Sequence, residues 1–403
     1  MMKGNLIVGQ SGGPTAVVNV TLAGVVEAAM QSSSVGEILG MRHGVQGLLQ
    51  EDLTDLRRQP AELWTRLKET PSAALGSSRM KVTDEDLGRI VEVLRAHDVR
   101  YFLYVGGEGS ASVVHRLVRA ARERRYELSA VAVPKTIDND LAETDHCPGY
   151  PSVARWLAIS VREAGLDSEA IGVVDTVKVI ETMGRDAGWI AASTALARER
   201  AGEAPHLIYL PERAFDQERF LADVSRVHWE RGHVVIAVSE GVKDARGQYL
   251  SASQRAVDRD PVGRPQLGGA TQVLCDLAAS QLGLKARFDK PGTIQRVSSA
   301  MASPVDRDEA YRVGTEAVRA AVDGRTDVMV SIVREPGPGY RSSTALVALT
   351  QVVGRTRTVP PEFIAGSGSD ITEPFVQYLM PLLGGPLPSY ARLASTPVPR
   401  KMS

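Results

Sequence analysis

The sequence predicts an open α/β fold with parallel strands in two domains. Three short apolar runs, Leu6-Ile7-Val8, residues 101–105 and residues 130–133, are rich in β-branched or aromatic residues and are typical of buried strands. The first two runs open into glycine-containing loops that are followed by helical patterns, as expected of strand–loop–helix units. At 403 residues the chain is too long for one ordinary core, so two domains are expected.

The bulk composition is that of an ordinary globular protein, with 43% hydrophobic and 24% charged residues. A formal net charge of −1 gives no reason to expect nucleic acid or an anionic membrane as a partner. The N-terminus has no signal-peptide pattern, and the apolar runs are far shorter than a membrane span. Cys147 and Cys275 have neither disulfide nor metal-ligand spacing and are expected to be packed thiols. We expect a soluble, cytoplasmic protein.

The first strand, residues 6–10, leads into Ser11-Gly12-Gly13-Pro14-Thr15 and a helix. Backbone N–H groups and the helix dipole at such a turn can face an anion, although a tight turn without a ligand has the same pattern. The dinucleotide fingerprint is excluded because its third glycine is missing. Further on, the small-residue loop 75–81 carries Arg79, which either faces a phosphate or lies on the surface. A helix start is expected at residues 83–86.

The second unit has a carboxylate in its loop, Gly106-Gly107-Glu108-Gly109-Ser110. Glu108 would repel a phosphate unless a cation lay between them. Mg²⁺ held by one or two carboxylates and by phosphate oxygens would satisfy both groups. The alternative is that Glu108 is simply an acidic residue at a helix start, where the dipole favours it.

The third strand ends in Pro134-Lys135-Thr136-Ile137-Asp138-Asn139-Asp140. In open α/β sheets, ligands lie outside the carboxyl ends of the strands, so these side chains are site candidates. If this loop is extended, Asp138 and Asp140 point in different directions, which suits two separate roles. A solvated acidic turn is the alternative.

The rest of the chain continues the pattern. The predicted elements are a helix from Pro151, a strand over 171–180 before Met183-Gly184-Arg185, strands at 206–210 and 233–238, a polar loop over 244–265, helices after 267–269 and at 306–322, a strand at 328–333, a closing helix over 370–383 and a Pro-rich tail from 386. The strand at 233–238 ends in Ser239-Glu240-Gly241, where Glu240 could accept hydrogen bonds from a sugar or be a solvated acid.

Loops suited to phosphate thus follow three strands, at 11–15, 106–110 and 134–140. Phosphoryl transfer needs donors for the phosphates, a metal, cations, and a carboxylate that deprotonates the acceptor. Together these loops predict a Mg²⁺-dependent phosphotransferase.

These residues resemble the phosphofructokinase family, in particular its long bacterial pyrophosphate-dependent branch. The matching segments are Ser11-Gly12-Gly13, Gly76-Ser77-Ser78-Arg79, Gly106 to Ser110, Pro134 to Asp140, Met183-Gly184-Arg185 through Ala191, Ser239-Glu240-Gly241 and Gln295-Arg296. The resemblance implies two Rossmann-like, three-layer α/β domains with the active site in the cleft between them. It assigns residues 1–150 to a donor-phosphate domain on which part of the C-terminal segment packs, 151–370 to a sugar domain, and 371–403 to a closing helix and tail.

The resemblance also implies roles for individual residues. Asp138 resembles the base that deprotonates the acceptor, with Thr136 and Asp140 beside it. Glu108 falls where ATP-using relatives hold the metal. Arg79, Lys135 and Arg185 would stabilise charge during transfer, and Gly12, Gly13, Gly107, Gly109 and Ser110 would hold the donor. Met183, Gly184, Glu240 and Arg296 would hold the sugar phosphate. The family also implies a homodimer or homotetramer.

Some positions depart from the family pattern and leave the donor and the acceptor open. Lys135 is typical of pyrophosphate users, whereas Gly109 replaces their usual Asp and leaves room for ATP. Thr176, Arg264 and Thr293 stand where sugar-phosphate contacts are usual, and Arg264 or Lys178 could compensate. The prediction is therefore transfer from pyrophosphate or ATP to the 1-hydroxyl of fructose 6-phosphate. The alternatives are another sugar, ketose phosphate or polyol as acceptor, and a non-catalytic binding protein.

Overall fold

Mostly parallel strands connected by helices form two separate sheets, and in the described part of the chain only the two edge strands of the first sheet are antiparallel to their neighbours. The computed structural model describes residues 3–172, 174–250, 259, 263, 265–394 and 396–402. The strands are β1 (Gly4–Gln10), β2 (Val35–Met41), β3 (Leu53–Asp55), β4 (Val99–Gly106), β5 (Ser129–Pro134), β6 (Val177–Thr182), β7 (Leu207–Tyr209), β8 (Val234–Ser239), β9 (Ala286–Asp289), β10 (Val328–Arg334) and β11 (Ser342–Ala348).

Helices cover the sheets. They are α1 (Val18–Gln31), α2 (Gly44–Leu49), α3 (Ala61–Leu67), α4 (Asp84–Ala96), α5 (Glu108–Glu123), α6 (Tyr150–Ile171), α7 (Trp189–Ser193), α8 (Gln217–Arg231), α9 (Ala270–Leu282), α10 (Ile294–Val297), α11 (Pro304–Val322) and α12 (Glu373–Leu379). The predicted start of α4 is confirmed, because Thr83 and Asp86 form a capping box. None of the helices within the described ranges is long and apolar enough to cross a membrane.

The first sheet has seven strands in the order β11-β10-β5-β4-β1-β2-β3. One face packs against α4 and α5, and the other packs against α1 and α11. The register pairs Gln10 with Val105 and Gly106 with Pro134, so three neighbouring strands end at one edge. Their following loops, which sequence analysis selected, therefore lie side by side.

The second sheet has four parallel strands in the order β7-β8-β6-β9. Helices α6, α7 and α12 pack on one face, and α8 and α9 pack on the other. Thr182 pairs with Ser239, which places the loop after β6 beside the loop after β8. Both sheets are thus the centre of three layers, which confirms the predicted fold class.

Two secondary-structure predictions need correction or extension. The predicted strand over 171–180 is wrong in its first half, because α6 continues to Ile171 and β6 begins at Val177. The predicted closing helix is shorter, since α12 ends at Leu379 and a 3₁₀ turn follows at Met380–Leu383. Residues 244–250, at the start of the predicted polar loop, form no helix or strand longer than isolated bridges. Most of that loop, with Arg264, lies outside the described residues.

Residues 304–348, which follow most of the second sheet in the chain, return to the first sheet. Helix α11 packs closely on α1: a Cβ added at Gly24 would lie 2.3 Å from the carbonyl oxygen of Tyr311, and one added at Gly314 would lie 2.3 Å from that of Thr21. Strands β10 and β11 then extend the sheet beyond β5. The predicted sugar-domain range of 151–370 thus includes residues that complete the first sheet, and the domain boundaries stay a prediction.

A buried ionic network fixes the chain shortly after the third loop. His146 lies 2.8 Å from Asp145 through Nδ1 and 2.6 Å from Glu309 through Nε2, and Arg334 pairs with Asp145 at 3.1 Å. Burial alone lowers the pKa of His146, but the two carboxylates outweigh it and raise the pKa to about 9. The charged imidazole therefore connects residue 146 to α11, and Arg334 connects residue 145 to β10.

Candidate active site

The carboxyl ends of the strands of both sheets border one cleft of about 1160 Å³. Nearly all the predicted site residues line it, from loops that are distant in sequence. They are Gly12, Gly13, Arg79, Gly107, Glu108, Gly109, Ser110, Lys135, Thr136, Asp138, Asp140, Met183, Arg185, Glu240 and Arg296. Gly184 does not line the cleft but supports its wall. The tertiary structure thus brings the predicted residues together.

Short polar contacts join the first glycine loop to the second glycine loop and to the 75–81 loop. The Ser110 hydroxyl donates to the Ser11 hydroxyl at 2.9 Å, and the Ser77 hydroxyl donates to the carbonyl of Gly12 at 2.5 Å. Gly12 has a φ of 74°, a left-handed conformation that glycine adopts without strain. A Cβ at Gly106 would lie 2.0 Å from Oγ of Ser110, so glycine is required there for close approach. These contacts hold the floor of the cleft.

The 134–140 loop is a turn rather than an extended segment. Asn139 is fully buried with a φ of 54°, a conformation that Asn tolerates better than most residues. The Asn139 side-chain oxygen accepts the backbone N–H of Cys147 at 3.0 Å. Because the chain turns here, Asp138 and Asp140 both line the cleft and interact electrostatically. The extended conformation on which the expected separate orientations rested is therefore wrong, and both residues line the same cleft.

The carboxyl group of Asp138 is poised to accept a proton. Burial raises its pKa, and the negative charges of Asp140 and Glu240 raise it further, to about 7. The positive charge of Lys135 opposes this shift. A general base is most effective when its pKa lies near the working pH, so this environment suits proton abstraction.

Lys135 is a buried cation at the centre of the site. Its side chain is 3% exposed, and Nζ donates to the carbonyl of Gly13 at 2.9 Å. Burial lowers the pKa of Lys135 to about 8, with Arg296 and Arg79 adding to the shift and Asp138 opposing it. An ammonium group this close to two glycine loops and a carboxylate can bind a phosphate between them.

Glu108 and Asp140 are the residues that fit a magnesium ion. Glu108 begins α5, and its Oε1 accepts the N–H of Gly354 at 3.0 Å. Burial raises the pKa of Asp140, and the charge of Glu108 is among the further causes. No group of three or more His, Cys, Asp or Glu side chains forms a metal site among the described residues. Two carboxylates beside a phosphate site are nonetheless the donor set that Mg²⁺ commonly uses.

The position of Gly109 is open. A Cβ added there would have no atom within 4 Å, and the cleft continues past it to Val82, Val113 and Arg116. The loop therefore leaves space for a donor larger than pyrophosphate.

The opposite wall comes from the second sheet. Gly184 has a φ of 121°, and its carbonyl accepts the Ser239 hydroxyl at 2.5 Å. Arg185 donates to the carbonyl of Pro265 at 2.9 Å. Burial raises the pKa of Glu240, and Glu181 raises it further, while Arg185 lowers it. A partly desolvated carboxylate beside an arginine can accept hydrogen bonds from the hydroxyl groups of a sugar.

Arg296 lies on α10, and its side chain reaches the first glycine loop of the first sheet. A Cβ added at Gly13 would be 2.9 Å from Nη1 of Arg296, so this side chain contacts the first glycine loop. Gln295 anchors the turn by accepting the N–H of Met183 at 3.1 Å. The assignment of Arg296 to a distal sugar phosphate stays a prediction.

Two of the unusual positions are now placed. Thr293 lines the cleft, whereas Thr176 does not and instead donates to the carbonyl of Lys285 at 3.2 Å. Lys178 does not line the cleft either, because its ammonium group is paired with Asp167 at 2.9 Å. Sequence reasoning missed Lys290 and Thr356, which do line it. Lys290 directly follows β9, a short strand that the sequence analysis did not predict, and Thr356 lies in a segment that follows no strand end.

The strand ends of the two sheets enclose glycine loops, a pair of carboxylates and several cations. This arrangement defines an enzyme of the phosphotransferase class. The family model described as Phosphofructokinase matches residues 5–321. The chain therefore belongs to the phosphofructokinase family.

Similar proteins cover nearly the whole chain. The pyrophosphate–fructose 6-phosphate 1-phosphotransferase of Xanthomonas campestris pv. campestris (strain B100) is 40% identical over 417 residues, covering 100% of this chain and 99% of that protein. A sulfofructose kinase of Alkalicoccus urumqiensis is 32% identical, covering 89% and 91%. The crystal structure of a pyrophosphate-dependent phosphofructokinase from Nitrosospira multiformis has a TM-score of 0.87 and 37% identity, covering 99% of each chain.

Proposed function

We propose that this protein transfers a phosphoryl group from pyrophosphate to the 1-hydroxyl of fructose 6-phosphate. The observation that carries the proposal is the position of Asp138. It is a carboxyl group with a pKa near 7, in the same cleft as Lys135 and the glycine loops. The name of the Xanthomonas relative, which matches over its full length, supports pyrophosphate as donor and fructose 6-phosphate as acceptor.

In this proposal Asp138 accepts the proton of the 1-hydroxyl as its oxygen bonds to the phosphorus. The bond from that phosphorus to the bridging oxygen breaks, and inorganic phosphate leaves. Lys135, Arg79 and Arg185 stabilise the charge on the transferring and leaving groups. Mg²⁺, when bound, would supply further charge neutralisation, and Glu108 and Asp140 would hold it. Catalysis then depends mainly on position and electrostatics.

The remaining residues would bind the two substrates. Gly12, Gly13, Gly107 and Ser110 present loop atoms to the donor, and Thr136 orients the transferred group. Glu240 and the Met183-Gly184 turn face the sugar. The proposal also includes a cytoplasmic homodimer or homotetramer, as family membership suggests.

ATP is a second candidate donor, favoured by the space beside Gly109. Gly109→Asp should place a carboxylate in that space without steric conflict, because a Cβ there meets no atom within 4 Å. We expect any ATP-dependent turnover to fall by at least about tenfold, because the carboxylate repels and blocks the nucleotide phosphate. Pyrophosphate-dependent turnover should change by less than about threefold, since pyrophosphate ends before this point.

The two donors, measured with the same enzyme preparation, serve as controls for each other. An equal loss with both would contradict the assignment of Gly109 to a nucleotide subsite. Gly107→Ala offers a comparison within the same loop, at a position that lines the cleft and that the proposal assigns to binding of either donor.

A different acceptor is the second candidate substrate. Thr293 stands in the cleft where a larger hydrogen-bonding side chain is usual in the family, and one relative is named as a sulfofructose kinase. An acceptor with another anionic group in place of the distal phosphate would be consistent with this change.

The proposal is tested by crossing pyrophosphate and ATP with a panel of acceptors in the presence of Mg²⁺. The panel contains fructose 6-phosphate, sulfofructose, other ketose phosphates and polyols, and phosphorus NMR identifies the products. We expect the highest kcat/KM with pyrophosphate and fructose 6-phosphate. Preference for another acceptor by more than about tenfold, or 1.4 kcal/mol, would replace the proposed substrate. Absence of turnover with every pair would indicate the non-catalytic alternative.

A further inference from the structure

We infer that the backbone of the C-terminal segment Gly354–Arg357 supports the active site and that Arg357 is a positioning residue for the Asp138–Asp140 loop. The inference rests on the proposed function, because it concerns the loop that carries the proposed base. The segment lies beyond residue 321, where the match to the family model ends.

Backbone contacts join the segment to the loop. The N–H of Arg357 donates to the carbonyl of Asp140 at 2.8 Å, and Thr356 forms an antiparallel bridge with Leu141. The Arg357 guanidinium also donates to the carbonyl of Asn139 at 3.4 Å. Both carbonyls belong to the turn that directs the two carboxylates into the cleft.

Arg357 is itself fixed by the core of the second sheet. Its guanidinium lies over the ring of Trp189, 4.2 Å from the centroid, and 3.4 Å from the hydroxyl of Tyr378. The indole N–H of Trp189 donates to the carbonyl of Arg357 at 3.1 Å. Trp189 is fully buried on α7, so it is a rigid support. Arg357 therefore connects a loop of the first sheet to the interior of the second.

The other end of the segment contacts the metal candidate. The N–H of Gly354 donates to Oε1 of Glu108 at 3.0 Å, and the second oxygen of that carboxylate accepts no hydrogen bond from the described residues. Carboxylates that bind metals are commonly oriented by such an outer hydrogen bond. Gly354–Arg357 thus contacts both Glu108 and the Asp138–Asp140 turn, and it fixes the distance between these two parts of the proposed phosphate site.

The test is Arg357→Leu, which removes the guanidinium but keeps an apolar stem against Trp189. We expect kcat to fall about 10- to 100-fold, because small displacements of reacting groups are costly, while KM for the sugar changes less than about threefold. A looser turn admits water to Asp138, and hydration stabilises the carboxylate and lowers its pKa. The decrease of kcat/KM at acidic pH should therefore begin at a lower pH. Backbone hydrogen exchange over residues 138–147 should become faster by about tenfold or more.

Arg355→Leu is the matched control, because Arg355 lies in the same segment, is exposed, and has Glu143, at 3.8 Å, as its one ion-pair partner among the described residues. The control should leave kcat, the pH profile and the exchange rates unchanged. If Arg357→Leu behaves like this control, the inference is wrong. If Arg357→Leu does not fold, Arg357→Lys carries the same test, and normal kcat with normal exchange overturns the inference.

The two proposals fail in different ways. A wild-type protein with no turnover on any substrate overturns the proposed function, whatever the exchange rates are. An active wild type with identical exchange rates and pH profiles in both variants overturns only the role of Arg357.

Discussion

Replacement of Asp138 by Asn is expected to lower kcat by about 10²- to 10⁴-fold. The amide has the shape of the carboxyl group but cannot accept the hydroxyl proton. Donor binding should persist or tighten, because one negative charge near the phosphates is lost. Steady-state kinetics gives kcat, and calorimetry with pyrophosphate gives the dissociation constant.

The same substitution should change the pH dependence. With its pKa near 7, Asp138 is protonated in the free enzyme below that pH, so wild-type kcat/KM should fall as the pH drops through about 7. The Asp138→Asn variant should lack this decrease of kcat/KM at acidic pH. The unfolded pKa of Asp is about 3.9, so the folded state binds more protons between about pH 4 and 7 and wild-type stability decreases as the pH rises through that window. At pH 8 the variant should therefore melt no lower than the wild type.

Asp276→Asn is a suitable control, since Asp276 is exposed on α9 and accepts a hydrogen bond from Gln272 of the same helix. Its kinetics should match the wild type. An Asp138→Asn protein that turns over within about threefold of the wild type would exclude Asp138 as the base.

Replacement of Lys135 by Met is expected to lower kcat/KM for the donor by about 10²- to 10³-fold. Met is close to Lys in length but has no charge, and Lys135 is the buried cation beside Gly13. Its loss also removes the positive charge that opposes the raised pKa of Asp138. The acidic limb of the pH profile should therefore move to higher pH, which kinetics with saturating sugar would measure.

Lys178→Met is the matched control because Lys178 is also a largely buried cation, with a side chain 17% exposed, but lies outside the cleft and pairs with Asp167. It should affect stability without shifting the pH profile. If Lys135→Met changes only stability, or shifts the limb to lower pH, the electrostatic role of Lys135 is contradicted.

The predicted strands and glycine loops of the first half were confirmed because their signals are local. An apolar β-branched run followed by glycine has few alternative structures, as the buried runs of β1, β4 and β5 illustrate. The strand predicted over 171–180 failed in its first half. There Ile171 is the last residue of α6, and Ile171 and Val174 are 40% and 53% exposed, so β-branched residues stand at a helix end and in a connection instead of a buried strand.

The orientation of the two aspartates could not be obtained from their spacing. It depends on the left-handed turn at Asn139, which is stabilised by the distant N–H of Cys147 and by Arg357. The raised pKa of Asp138 likewise depends on Glu240 of the other sheet.

The sequence by itself determined the α/β class, the loops at the strand ends and the residue types for phosphoryl transfer, because each is encoded within about ten consecutive residues. Only the tertiary structure decided that Arg296 contacts Gly13, that β10 pairs with β5 in the first sheet, and that Arg357 contacts the carbonyls of Asn139 and Asp140. These contacts join residues more than a hundred positions apart. Their energies depend on packing and burial, which no local pattern records.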